Sequence, residues 1–270
     1  MALTTFQATH FKKNYQALGF EILLENEDFK VTLHKGDTDE VCFSFLGVGE
    51  GMGGLSLQKE EFFGSVQAGK SRSVIFIFDK KRGWFSDEQK NAELFNLLAQ
   101  HCEEFGYKTR YAIGNSMGGF GALIATRYID FDAVIAFCPQ FSVDPVLVPE
   151  ETRWLEWTKS IKKFDVRSVA DGKFDRGNFY ILHGLDGEDQ HQYSRFPFHA
   201  NIHHYLAAGS SHHAAKDLKK KGLLRPFVEA CFMQGPMQVD ELMRENGISK
   251  RIKPTVLGKL MTWVRKKTAA

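Results

Sequence analysis

From residue 20 onward, short apolar runs alternate with longer stretches in which apolar residues recur at helical spacing. Phe20–Glu25 and Phe29–His34 flank the polar turn Asn26-Glu27-Asp28, a pattern that predicts a hairpin. Further candidate strands are 41–46, Ser73–Asp79, Thr109–Asn115, 133–138, 178–183 and 201–207. These are continuous apolar runs bounded by Gly, Asp or Asn, as strands covered on both faces require. Helical patterns lie between them at 57–67, 87–105, 117–128 and 212–233, with Ser86-Asp87 offering an N-cap to the second. The alternation predicts an α/β fold: a doubly wound, mostly parallel sheet of about eight strands with helices on both faces.

One stretch breaks the pattern. Residues 138 to 178 carry no strand signal but hold Pro139, Pro145 and Pro149, then an amphipathic piece with Trp154, Leu155, Trp157 and Ile161. The expectation is a single domain over 1–270 with a small lid insertion at 140–177, a plain connecting helix pair being the alternative. A C-terminal helical tail is expected over 237–270. Its basic part places Ile252, Val256, Leu260, Met261 and Val264 at roughly helical spacing, and its few, scattered charges favour a solvated helix over a membrane-surface one.

Composition narrows the classes. The 270 residues are 43% hydrophobic and 25% charged, which excludes a disordered or low-complexity chain. Lys+Arg 35 against Asp+Glu 33 leaves +2, too mild a balance to indicate nucleic acid. Cys42, Cys102, Cys138 and Cys231 never form a C-x-x-C, so reduced, buried thiols are expected. The N-terminus lacks an apolar stretch after a basic region, and no apolar run approaches the roughly 20 residues that span a bilayer. A cytoplasmic protein without a membrane partner is expected.

The sharpest local signal is Gly114-Asn115-Ser116-Met117-Gly118, a G-x-S-x-G between a strand and a helix. A Ser on so tight a turn needs neighbours without Cβ atoms, and the following helix N-terminus aims amide N–H groups at a developing anion. A serine also needs a base, itself oriented by an acid. The strand at 178–183 is followed by Leu185-Asp186-Gly187-Glu188-Asp189, and the strand at 201–207 by Gly209-Ser210-Ser211-His212-His213. The parallel sheet brings both loops to the strand ends where Ser116 lies.

Taken with these motifs, the sequence resembles the α/β-hydrolase superfamily from about residue 20 to 235. Two further segments carry the likeness: FLGVG at 45–49, and DKKRGWFS at 79–86, similar to the family's D-x-R-G-x-G-x-S loop. The second departs by one extra residue before Arg82, by Phe85 replacing a Gly, and by Ser86 coming one place early. The resemblance implies Ser116 as nucleophile, His212 as base with His213 as alternative, and Asp186 as acid. Asp189 is the close second for the acid and Glu188 the third. Asp186 is preferred as nearest behind its strand, His212 because small residues precede it. Met117 and Val48 would supply oxyanion amides, Leu46 standing where many members have His. An ester or thioester would then be cleaved through an acyl-enzyme, with no cofactor implied. Phe141, Trp154 and Trp157 are candidates to line an acyl pocket, at a spacing equally common in cores.

Three alternatives stay open. The same triad would serve an acyltransferase. Gly49-x-Gly51-x-x-Gly54 followed by Asp79 resembles an NAD(P)-binding fingerprint, although the gap exceeds the usual ~20 positions and the apparent Ser56 cap falls after the motif. A non-catalytic α/β-hydrolase-fold binding protein is the third. A metal site is not expected. His199, His203 and His204 lie near one another, but His203 and His204 face opposite sides of a strand and no H-E-x-x-H occurs. His183 reads as structural, and His10, His34, His101 and His191 as surface residues.

Overall fold

The computed structural model describes residues 19–49 and 60–253. Among them, nine strands form one open sheet: β1 (Phe20–Glu25), β2 (Phe29–His34), β3 (Glu40–Phe45), β4 (Ser73–Asp79), β5 (Thr109–Asn115), β6 (Ala133–Phe137), β7 (Asn178–Gly184), β8 (Ile202–Ala207) and β9 (Ile248–Lys250). Their spatial order is β1-β2-β4-β3-β5-β6-β7-β8-β9. The run from β4 to β8 is parallel, while β1 and β2 at one edge and β9 at the other pair antiparallel. The chain steps from β3 outward to β4, then returns to β3's other side as β5. That reversal opens a crevice at the carboxyl ends of the strands, where open α/β sheets bind ligands.

Eight helices are described: α1 (Phe63–Val66), α2 (Glu88–Phe105), α3 (Met117–Ala125), α4 (Leu155–Thr158), α5 (Gln190–Tyr193), α6 (Ala214–Lys220), α7 (Leu224–Met233) and α8 (Pro236–Glu245). Strand alternation sorts their partners. Ile75 and Ile77 of β4, with Phe179 and Ile181 of β7, face Leu94, Phe95 and Leu98 of α2 and Leu123 of α3. Val74, Phe76 and Phe78, with Tyr180 and Leu182, face Phe227 of α7 and Val239 of α8. The result is two aromatic-rich cores, one on each side of the sheet. All four cysteines are buried free thiols. No described helix is long and apolar enough to cross a membrane.

Local chemistry sets most boundaries. The Asn26 carboxamide oxygen accepts from Asp28 N at 3.0 Å and Phe29 N at 2.7 Å, closing the hairpin as an Asx turn. Asp87 caps α2 by accepting from Lys90 N at 3.1 Å, and Gly106 ends it at φ 68°.

Four expectations need correction. The helix predicted over 57–67 is confined, among described residues, to α1, because Phe62 sits in the left-handed region at φ 65° just ahead of it. The one predicted at 117–128 is regular only to Ala125. The one at 212–233 is two helices, broken where Gly222 adopts φ 72°. Strand β9 escaped notice because Ile-Ser-Lys is three residues without an apolar run. Of the expected tail, α8 and β9 are described, and 254–270 lies outside the described residues.

The stretch from 140 to 177 contains only α4 and a 3₁₀ turn at Val169–Asp171. Hydrogen bonds tie it to the body: Val166 N donates to Ser86 O at 3.0 Å, and Phe141 N to the Gln192 side chain at 2.7 Å. The expected amphipathic helix shrinks to one turn whose preceding Trp154 packs on Trp84, ring centroids 5.9 Å apart.

The packing of α3 is testable through Gly121. A Cβ there would stand 2.3 Å from the buried Phe85 ring. Helix propensity favours alanine by about 1 kcal/mol, but displacing a buried ring costs about 1–3 kcal/mol. Gly121→Ala is expected to lower the urea midpoint, and a raised midpoint would contradict this packing.

Candidate active site

The turn from β5 into α3 is tightly constrained. Ser116 adopts φ 56°, ψ −121°, outside the regions L-residues favour. Its neighbours make that possible by lacking side chains. A Cβ on Gly114 would lie 2.2 Å from Gly118 O, and one on Gly118 would lie 2.2 Å from Phe45 O. The second contact seats the start of α3 against the end of β3. Ser116 N donates to Phe137 O at 2.8 Å, anchoring the turn to β6.

The loops after β7 and β8 meet over this serine. His212 Nε2 lies 2.9 Å from Ser116 Oγ, and His212 Nδ1 lies 3.0 and 3.1 Å from the two carboxylate oxygens of Asp189. The acid against the imidazole is therefore Asp189, not the preferred Asp186. Directly behind β7, Asp186 N still pairs with Ser210 O at 2.9 Å while its side chain is exposed. Gly187 then turns the chain at φ 87°, and Asp189 arrives at the start of α5, buried at 2% exposure. Glu188 and His213 are exposed.

Asp189 is held by more than the imidazole. Arg153 donates to its carboxylate at 2.8 Å and pairs on its other side with buried Glu151. Burial pushes the Asp189 carboxyl upward, but the His212 hydrogen bond and charge, with His183 and Arg153, outweigh it and hold the group well below the ordinary range. The 140–177 stretch thus reaches the acid through Arg153, and Trp154 meets the His212 ring at 5.6 Å between centroids. Of the three aromatic candidates, Trp154 is the one brought to the imidazole. Phe141 packs on Phe196, and Trp157 lies under the Arg82 guanidinium.

Gln140 was not anticipated. Its side-chain nitrogen donates to Ser116 Oγ at 3.0 Å, and its side-chain oxygen accepts from Trp84 Nε1 at 3.0 Å. No motif flags a glutamine three residues beyond a strand. Glu61 was missed as well. Buried beside Gly47, whose amide donates to it, its carboxyl is pushed by burial up to about 7. Val48 and Met117, the expected oxyanion donors, are both buried where the β3 loop meets α3.

The other chemical candidates resolve locally. Asp79 is buried and its carboxylate accepts amides of its own loop, Phe85 N at 3.4 Å among them. An acid so engaged does not face a ribose. The Gly49–Gly54 fingerprint lies outside the described residues beyond Gly49. Cys138, Asp189 and His212 offer ligand atoms within 4.8 Å of one another. However, the last two are already paired, and burial pushes the Cys138 thiol up to about 12, which keeps it protonated. His34, His101 and His191, expected at the surface, are half-buried.

His183 and His204 form a buried chain with a fixed direction. His183 Nε2 meets Pro139 O at 2.9 Å, and a carbonyl only accepts, so Nε2 carries the proton. His183 Nδ1 must then accept from His204 Nε2, 2.9 Å away. Burial, the largest influence, lowers His183 from 6.5 to about 4 and moves His204 the same way. Between those pH values the unfolded chain binds a proton the native state refuses, so stability falls as pH drops from about 6.5 to about 4. Glu61, pushed by burial up to about 7, acts in the opposite sense over nearly the same window. The effect of the pair is therefore read in a Glu61→Gln background, where urea midpoints should decline by an amount equivalent to up to about 3 kcal/mol. A flat profile would contradict the neutral pair.

No protein-family model and no curated protein sequence matches this chain. Solved structures do resemble it. A Staphylococcus aureus protein provisionally called an esterase superposes with TM-score 0.54 at 11% identity, covering 85% of this chain and 94% of that one. The capsule O-acetyltransferase of Neisseria meningitidis serogroup A gives 0.53 at 13%, covering 76% and 93%. The acylaminoacyl peptidase of Pyrococcus horikoshii gives 0.56 at 14%, covering 90% of this chain and 46% of that one. Likenesses at these identities establish the fold alone.

Proposed function

We propose that this chain, which has the α/β-hydrolase fold, is a serine hydrolase that cleaves a carboxylic ester or thioester through an acyl-enzyme. The observation that carries the reading is the line of contacts from Ser116 Oγ through His212 to Asp189, at 2.9 and 3.0 Å.

In this reading Ser116 attacks the substrate carbonyl as His212 Nε2 takes its proton. The amides of Met117 and Val48 donate to the oxyanion at the junction of α3 and the β3 loop. Collapse breaks the bond to the leaving group, which receives the proton from His212. Water then repeats the sequence on the acyl-enzyme and releases the acid. Asp189, kept ionised by His212 and Arg153, holds the Nδ1 proton and stabilises the imidazolium that forms. An acceptor other than water would make the protein an acyltransferase on the same residues, a reading favoured only by likeness to the capsule O-acetyltransferase fold.

A fluorophosphonate probe is expected to label the protein at Ser116, with labelling abolished in Ser116→Ala and strongly slowed in His212→Ala. Labelling unaffected by His212→Ala would remove the imidazole from the mechanism. No labelling of the parent, together with tight NADH or NADPH binding, would favour an oxidoreductase; no labelling and no turnover would favour a binding protein.

The two acids separate cleanly. Asp189→Asn is expected to cut turnover of a short p-nitrophenyl ester on the order of 10³–10⁴-fold, as losing the tautomer-fixing acid does elsewhere. Asp186→Asn, altered at an exposed side chain, should stay within about twofold. The reverse ranking would return the acid role to Asp186.

A further inference from the structure

We propose that Gln140 is a catalytic residue whose side-chain amide acts on Ser116 Oγ and speeds release of the acyl group more than its capture. The inference rests on the serine hydrolase reading above.

The orientation of this amide is settled by its partners. Trp84 Nε1 is a donor with no acceptor capacity, so the atom it meets at 3.0 Å must be the Gln140 oxygen. The nitrogen then faces Ser116 Oγ at 3.0 Å as a donor. Both side chains are buried, Gln140 at 1% and Trp84 at 0% exposure, so water does not compete for these bonds. The backbone on each side of Gln140 is pinned as well. Pro139 O accepts from His183 Nε2 at 2.9 Å, and Phe141 N donates to Gln192 Oε1 at 2.7 Å.

This arrangement has two consequences for the serine. First, Oγ has one proton to give. With Gln140 supplying a hydrogen to Oγ, that proton goes to His212 Nε2, 2.9 Å away, and the imidazole proton stays on Nδ1 against Asp189. The resting hydroxyl is therefore oriented for transfer. Second, the worth of the Gln140 bond changes along the reaction. The free hydroxyl oxygen is a good acceptor. In the acyl-enzyme, Oγ is an ester oxygen whose lone pair is delocalised into the carbonyl, and it accepts poorly. When water attacks, with His212 taking its proton, that delocalisation is lost and Oγ accepts well again. As the C–Oγ bond breaks, its electron pair settles on Oγ, which regains a proton from His212. The Gln140 bond strengthens throughout that half-reaction. In acylation the bond begins strong and is largely kept in the tetrahedral intermediate, so it adds little there.

The test separates the half-reactions. In Gln140→Met, which keeps an unbranched side chain of similar length without the donor, acylation by p-nitrophenyl acetate should stay within about threefold of the parent. Deacylation should slow roughly tenfold, as expected for one hydrogen bond between neutral groups. Intact-protein mass spectrometry should then show an acetylated population that the parent clears. Trp84→Phe, which frees the amide to turn, should shift the ratio in the same direction by a smaller factor and serves if the methionine variant does not fold. Acylation and deacylation slowing together in whichever variant folds would overturn the proposal by reducing Gln140 to support of the fold. Unchanged kinetics would overturn it too. A parent that is never acylated would defeat the hydrolase reading itself, a result visible before any Gln140 variant is made.

Discussion

The close approach of Gly118 to the end of β3 is the constraint on which the site depends. A Cβ there would collide with Phe45 O at 2.2 Å, so only glycine lets α3 begin where it does. That position sets the helix N-terminus against the β3 loop and holds Ser116 at φ 56°. Left-handed strain of this kind costs on the order of 1–3 kcal/mol and persists only where the surroundings over-determine it. Here they do: Ser116 N is bound to β6, and its oxygen receives the α3 backbone.

Around this turn the polar groups are buried and directed. Trp84, Gln140, Ser116, His212, Asp189, Arg153 and Glu151 form one continuous line of hydrogen bonds and ion pairs. A second line runs from His204 through His183 to Pro139 O, one residue before Gln140. Buried networks of this sort stabilise only when every member is satisfied. Trp84, a donor-only indole, closes one end of the first line, and Pro139 O, an acceptor-only carbonyl, closes one end of the second, which leaves the protons next to them little freedom. The 140–177 stretch participates through Gln140, Arg153 and Trp154, so it belongs to the site's electrostatics.

Much of the fold was legible because the signals were local. Four of the predicted strands coincide with the observed ones: β1 and β2 flank a polar turn that reads as a hairpin, and β4 and β5 are apolar runs ended by Asp and Asn. The serine turn was legible because strain demands glycine on both sides. The errors also have local causes. The break within 212–233 depended on Gly222 taking φ 72°, and glycine is compatible with either outcome. The half-buried state of His34 depends on Phe20 and Phe63, which pack against its ring from a neighbouring strand and from α1. Gln140 had no signature at all, because its significance lies in Trp84, 56 positions away in the chain.

The choice of acid marks the boundary between the two sources. Sequence alone determined that a serine on a strained turn, an acidic loop and a histidine loop would gather at one edge of a parallel sheet, because strand order and direction carry loops there whatever their contents. It could not determine which carboxylate turns inward. Asp186 and Asp189 are three residues apart in one loop, and the outcome rests on Asp186 N being held by Ser210 O while Arg153 receives Asp189. Hydrogen bonds between distant loops decided that, and only the tertiary structure contains them.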